Sequence, residues 1–87
     1  MAIALDYYQQ AAVLGYSQAQ ANLGYMYEAG KHVSKDMVKA HQYYQQAADN
    51  NNAQGMNNLA TFYLEGTVVD KDHAKALSLY RAAAEMG

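Results

Sequence analysis

Eighty-seven residues make at most one small domain, and a chain of this size buries only roughly 60–65% of its unfolded surface, so elements must share surfaces rather than surround a large core. Six basic against eight acidic residues, a net charge of -2 with no run of Lys or Arg clear of acidic neighbours, exclude a nucleic-acid partner. The absence of cysteine removes disulfides, thiol nucleophiles and cysteine zinc sites, and no apolar run approaches the ~20 residues that membrane insertion requires.

The first predicted element is a helix near residues 2–14, carrying Ala4, Tyr8, Ala11 and Ala12 on one face and ending at Gly15. A second helix follows near 17–29, where Ala19, Leu23, Met26, Tyr27 and Gly30 recur at the 3.6-residue period. The third, near 35–49, presents Met37, Ala40, Tyr44, Ala47 and Ala48. The fourth, near 53–65, repeats the second with Leu59, Phe62, Tyr63 and Gly66, and the fifth, near 71–85, repeats the third with Ala76, Tyr80, Ala83 and Ala84.

These elements are copies. Shifting the chain by 36 residues aligns Tyr8, Tyr44 and Tyr80, the pairs Ala11-Ala12, Ala47-Ala48 and Ala83-Ala84, and the ends Gly15, Asn51 and Gly87. The same shift superposes Leu23, Tyr27, Gly30, Val33, Asp36 and Lys39 on Leu59, Tyr63, Gly66, Val69, Asp72 and Lys75. Self-similarity at such a period identifies a solenoid. The chain therefore divides into a half repeat at 1–15 (one B helix) and full repeats at 16–51 and 52–87, each an A helix followed by a B helix.

The punctuation has physical reasons. Gly30 and Gly66 stop the A helices at left-handed backbone, Gly15 and Asn51 do the same for the B helices, and Ser34 and Asp70 are expected to cap the helices that follow. Asp36 and Asp72 complement the positive ends of those helices, and with Lys39 and Lys75 form exposed pairs three residues apart. Alanine and glycine on the facing stripes let helix axes approach closely, and the tyrosine rings fill what is left, each hydroxyl needing an acceptor.

The motif Ala19-x-x-x-Leu23-Gly24-x-x-Tyr27-x-x-Gly30-x-x-Val33-x-x-Asp36-x-x-Lys39-Ala40-x-x-Tyr43-Tyr44-x-x-Ala47-Ala48, restated one repeat later, closely resembles the Sel-one-like repeat, a relative of the tetratricopeptide repeat. The resemblance covers essentially the whole chain. It departs from the pattern at His32 and Val68, where the family usually has a second glycine, at Tyr7, Tyr43 and Leu79, where tryptophan is common, and at Ala60, which replaces a glycine. The resemblance implies an all-α fold, an α-solenoid or α/α superhelix of about five helices in antiparallel pairs, with A helices lining the concave side. It also implies a protein-interaction role in signalling, secretion or cell-envelope pathways and no enzymatic activity of the repeat itself.

Other chemistry finds no support. His32, His41 and His73 are nine and 32 residues apart, which fits no compact zinc pattern, and His41, aligned with Leu5 and Leu77, reads as a partly buried packing histidine. Ser17, Ser34 and Ser78 lack a nucleophile elbow, and the glycines recur at the repeat period rather than as a phosphate cradle, so neither catalysis nor a cofactor is expected.

A binding face remains. On a helical wheel Gln18, Ala21, Tyr25 and Glu28 point away from the Leu23-Tyr27 stripe, and Gln54, Asn57, Thr61 and Leu64 do so one repeat later. These eight are the candidate contacts for a protein or peptide, Tyr25 foremost as an aromatic anchor. No Lys or Arg falls among them, so a carboxylate clamp is not expected. Because the array opens in mid-repeat, with Met1, Ile3 and Leu5 apolar, it is expected to be part of a longer array or to pair with a copy through its terminal helices. Alternatives to a general scaffold are an inhibitor or immunity-type binder of one enzyme and an assembly element of an envelope or secretion complex. The start of the chain lacks a signal-peptide pattern, which leaves the compartment open: cytoplasmic by default, periplasmic or secreted if a signal was removed.

Overall fold

The computed structural model of the chain describes residues 2–86, with side chains from Leu5 onward. Expectations resting on Met1, on the side chains of Ile3 and Ala4, and on Gly87 lie outside the described residues. Five helices follow one another: α1 (Ala2–Val13), α2 (Ser17–Ala29), α3 (Met37–Asp49), α4 (Ala53–Glu65) and α5 (His73–Met86). No strand occurs among the described residues. α1, α3 and α5 are the B helices, α2 and α4 the A helices. The tightest pairings are the antiparallel hairpins α2–α3 and α4–α5, which stack on one another through α3 and α4.

The A-helix ends form as their glycines require, with Gly30 at φ 70° and Gly66 at φ 72°. Gly15 and Asn51 are likewise left-handed, at φ 91° and 62°. The helix starts differ from the sequence reading. Ser34 and Asp70 do not cap; instead Asp36 Oδ1 accepts the Lys39 N–H at 3.1 Å and Asp72 Oδ1 accepts that of Lys75 at 3.0 Å. The reason is a backbone tie, because the Asp36 and Asp72 N–H groups donate to the carbonyls of Tyr27 and Tyr63 at 2.9 and 2.8 Å. That tie holds each loop extended for two further residues before helix can begin, so α3 and α5 start at 37 and 73 rather than 35 and 71. The lysines behave differently too: Lys39 Nζ lies 5.3 Å from the Tyr27 ring centroid and Lys75 Nζ 5.8 Å from that of Tyr63.

Tyr44, Phe62, Leu23 and Leu59 are the largest fully buried side chains, and Ala40, Ala47 and Ala60 are sealed with them. Close approach depends on missing atoms. A Cβ on Gly24 would stand 2.5 Å from two carbons of the Tyr44 ring, and one on Gly55 would stand 2.6 Å from the Ala47 Cβ. Tyr43 fills its place by stacking on Tyr27 at 5.7 Å, whereas its counterpart Tyr7 is 68% exposed. His41 packs as expected, 6.0 Å from the Phe62 ring, with its Nε2 buried and unpartnered.

Curvature follows from which layer touches itself. The A helices α2 and α4 pack side by side, whereas the B helices make no comparable approach to one another among the described residues. The A helices therefore form the inner layer of the bend and the B helices the outer.

Candidate functional site

The eight sequence-predicted residues separate into three environments. Gln18, Gln54 and Asn57 are exposed on the inner layer. The two glutamines are joined in an amide ladder: Gln18 Nε2 donates to Gln54 Oε1 at 3.0 Å across the junction between repeats and to Asn22 Oδ1 at 3.1 Å, while Gln18 Oε1 accepts from Asn52 Nδ2 at 3.3 Å. Tyr25, 49% exposed, and Leu64, 42% exposed, stand as separate apolar positions on the two A helices.

Glu28 and Thr61 are already engaged. The Tyr44 hydroxyl donates to Glu28 Oε1 at 2.6 Å, and Thr61 Oγ1 shares a 2.7 Å hydrogen bond with the Tyr80 hydroxyl. Burial, and secondarily the Glu28 carboxylate, raise the Tyr44 hydroxyl well above the ordinary tyrosine range, so it remains a proton donor at any physiological pH. Two members of the expected face thus serve the core, each hydrogen-bonded to the hydroxyl of an equivalent tyrosine.

Ala21 corrects the sequence reading outright, since it is fully buried. A helical wheel treats each helix alone and does not show that α4 packs alongside α2. The alanine suits that close contact. Its counterpart Asn57 is exposed on α4, the last A helix described.

Sequence reasoning also passed over two amides, Asn52 on this face and Gln20 behind it. Asn52 caps α4 by accepting the Gly55 N–H at 2.8 Å while its amide reaches Ser17 and Gln18. The signal was there: Asn is a strong capping residue three positions before Gly55. Gln20 is a buried amide, donating to the Ala12 carbonyl at 3.1 Å and accepting from Asn50 Nδ2 at 3.0 Å, where the next repeat has Met56. It floors a hollow of about 580 Å³ on the outer layer, bordered by Gln9, Val13, Gln46 and Asp49. Among the described residues no group of three or more His, Cys, Asp and Glu side chains converges as metal ligands would, and no helix is long and apolar enough to cross a membrane.

Comparisons with known proteins agree with this architecture. The Sel1 repeat model matches residues 1–16, 17–52 and 53–87. Among solved structures, a Sel1 repeat protein from Oxalobacter formigenes superposes with a TM-score of 0.92 at 41% identity, over 98% of this chain and 35% of that one. The protective antigen c5321 of uropathogenic Escherichia coli, described as displaying an SLR fold, gives 0.90 at 37% identity, over 97% of this chain and 18% of that one. Helicobacter pylori cysteine rich protein B gives 0.88 at 33% identity, over 94% and 62%. The chain thus spans less than two thirds of each of these relatives. No curated protein matches significantly.

Proposed function

The chain belongs to the Sel1 repeat family, whose members are typically protein–protein interaction modules, and on that premise we propose that it binds a polypeptide segment along the inner face of its A helices. The observation that carries this reading is the amide ladder from Asn52 through Gln18 to Gln54, which bridges two repeats on an exposed surface. Amide side chains offer both donors and acceptors, so they suit the backbone groups of an extended chain better than any charged ligand. Tyr25 and Leu64 supply apolar positions on either helix, and Asn57 extends the polar surface one turn beyond Gln54. With the Glu28 carboxylate taken by Tyr44 and no basic residue among the eight, recognition is by shape and neutral hydrogen bonds.

The test is a binding titration with a partner captured by the intact chain. Tyr25→Ala and Gln54→Arg are each expected to weaken binding about tenfold or more, whereas Val38→Ser on the outer layer, exposed on α3, leaves it unchanged. Equal loss from Val38→Ser, or none from the two inner substitutions, would move the site off this face.

A further inference from the structure

The 36-residue repeat supplies an internal control, because a residue that serves the stack alone should find a like residue one repeat later. At one place it does not. The outer-layer hollow between α1 and α3 is floored by Gln20 and walled by Gln46 and Asn50, whose counterparts between α3 and α5 are Met56, Ala82 and Met86. Three positions that are apolar at one joint are polar at the other, and all three border the same space. Every residue lining it belongs to α1, α2, α3 or the turns that end α1 and α3, so the hollow lies between repeats rather than on an end face.

Packing leaves part of these amides unused. Gln20 is only 4% exposed, and its side chain can donate twice and accept twice. One hydrogen goes to the Ala12 carbonyl and one lone pair to Asn50, which leaves one of each at the floor without a partner among the described residues. A half-satisfied buried amide is unfavourable where methionine simply packs, as Met56 does, so stability does not account for it.

The field in the hollow has one sign. Asp49 is the only charged residue lining it; Gln45 Nε2 donates to its Oδ1 at 3.0 Å, and no partner among the described residues takes its Oδ2. The last turns of α1 and α3 border the same space, and neither carries a basic residue to offset the negative end of its helix dipole. A cation is therefore favoured, and a lone carboxylate is too few hard ligands for a divalent metal ion.

We infer that the hollow is a site for the guanidinium of an arginine carried on a partner polypeptide, with Asp49 as its counter-ion and the Gln20 amide as its floor. A guanidinium is flat and brings five N–H donors and no acceptor, which suits one carboxylate surrounded by the amide oxygens of Gln9, Gln20 and Gln46. A lysine ammonium has three donors and is more strongly hydrated, so it gains less by leaving water for a polar hollow. The space, about 580 Å³, is larger than one side chain fills and leaves room for the main chain on either side of it, whose N–H and C=O groups the remaining amide capacity can meet. Free arginine is the poorer occupant, because its α-carboxylate would enter beside Asp49. The hollow and the Gln18–Gln54 ladder lie on opposite layers, so binding here stands or falls independently of the inner face.

The probe is the capped tripeptide acetyl-Ala-Arg-Ala-amide, titrated into the intact ¹⁵N-labelled chain. It is expected to give saturable shifts of the Gln20 and Asn50 side-chain amides and of the Val13 and Gln46 backbone signals. The same peptide with citrulline for arginine keeps the shape and loses the charge, and should bind about tenfold more weakly or worse. Asp49→Asn, at an exposed position and with the acceptor for Gln45 retained, should weaken the arginine peptide by a similar factor. Gln20→Met installs the residue of the second repeat and should abolish the shifts while the thermal melt stays at or above that of the parent. If Gln20→Met melts lower, Asp49→Asn alone decides. No saturable shifts, equal affinity of the citrulline peptide, undiminished binding by Asp49→Asn, or shifts confined to Gln54 and Leu64 would each overturn the site. Free arginine binding as tightly as the capped peptide would overturn the polypeptide as its source.

Discussion

One tyrosine recurs at the same place in all three B helices, and its three settings differ in the neighbours the array supplies. At the centre Tyr44 is fully buried, with α2 on one side, α4 on the other and its hydroxyl on Glu28. At the C-terminal end Tyr80 is half-buried, bonded to Thr61 of its own hairpin. At the N-terminal end Tyr8 is also half-buried and borders a hollow beside Asn22 and Met26. The same tyrosine in equivalent helices thus reaches different burial. In a repeat array stability belongs to the interfaces between neighbours rather than to the repeat.

The sharpest test of that difference is truncation of the central ring against its copies. Tyr44→Ala is expected to cost about 3–5 kcal/mol, the range for an aromatic removed from a packed core, which is enough to unfold a marginal domain. Tyr80→Ala, with one side already open, is expected to cost only about 1–2 kcal/mol. Urea melts of the two variants decide the matter: equal midpoints would mean that burial at the centre confers no special stability.

Gly24 and Ala60 extend the comparison to the residues beneath those rings. Ala is the better helix former by about 1 kcal/mol, so propensity alone predicts that Gly24→Ala stabilises. The ring of Tyr44 cannot retreat from a new methyl, however, because Phe62 stands behind it and Glu28 holds its hydroxyl. Overpacking of about 1–3 kcal/mol should therefore win, and thermal melts should show net destabilisation. Tyr80 has no A helix behind it among the described residues, and there the second repeat carries Ala60, fully buried, in place of the glycine. A Gly24→Ala protein that melts above the parent would show that the central ring has room to move.

The A–B loops are alike in both repeats and strained in both. His32 and Val68 have φ 67°, the left-handed region, where the family usually places glycine. For a β-branched residue that conformation costs about 1–2 kcal/mol, offset in part by the greater freedom that glycine brings to the unfolded chain. Val68→Gly is expected to raise stability by up to about 1 kcal/mol, since the half-exposed Val68 forfeits little burial. His32→Gly should gain less, as the His side chain is not branched at Cβ. Chemical denaturation of the two variants in parallel gives the ordering, and a larger gain at position 32 would contradict it.

The helix count, the hairpin order and the glycine stops were legible in the sequence because each is local: periodicity, a Cβ-free residue and a repeat that states everything twice. The face was legible only in part. Gln18, Gln54, Asn57, Tyr25 and Leu64 emerge exposed, but Ala21 is covered by a neighbour that a single-helix wheel does not contain, and Glu28 and Thr61 are claimed by tyrosines on the B helices. The caps slipped by two residues because the Asp36–Tyr27 and Asp72–Tyr63 backbone bonds join loop to helix across several residues, beyond the reach of capping preference.

The smallest effect concerns a position where the repeats disagree in chemistry. His41 stands where α1 and α5 have Leu5 and Leu77, beside Phe62, and its buried Nε2 has no partner. Burial disfavours the imidazolium, so the folded-state pKa lies below the ordinary value of 6.5. Below that value the unfolded chain binds the proton more readily than the folded one. The contribution of neutral His41 is therefore complete above pH 6.5 and is lost as pH falls through the folded-state pKa. In a His41→Leu protein that loss should be absent, so the gap between variant and parent should widen in favour of the variant on acidification. Urea midpoints at several values between about pH 5 and pH 7.5 measure it, and parallel pH profiles for the two proteins would show that the buried imidazole is not what titrates.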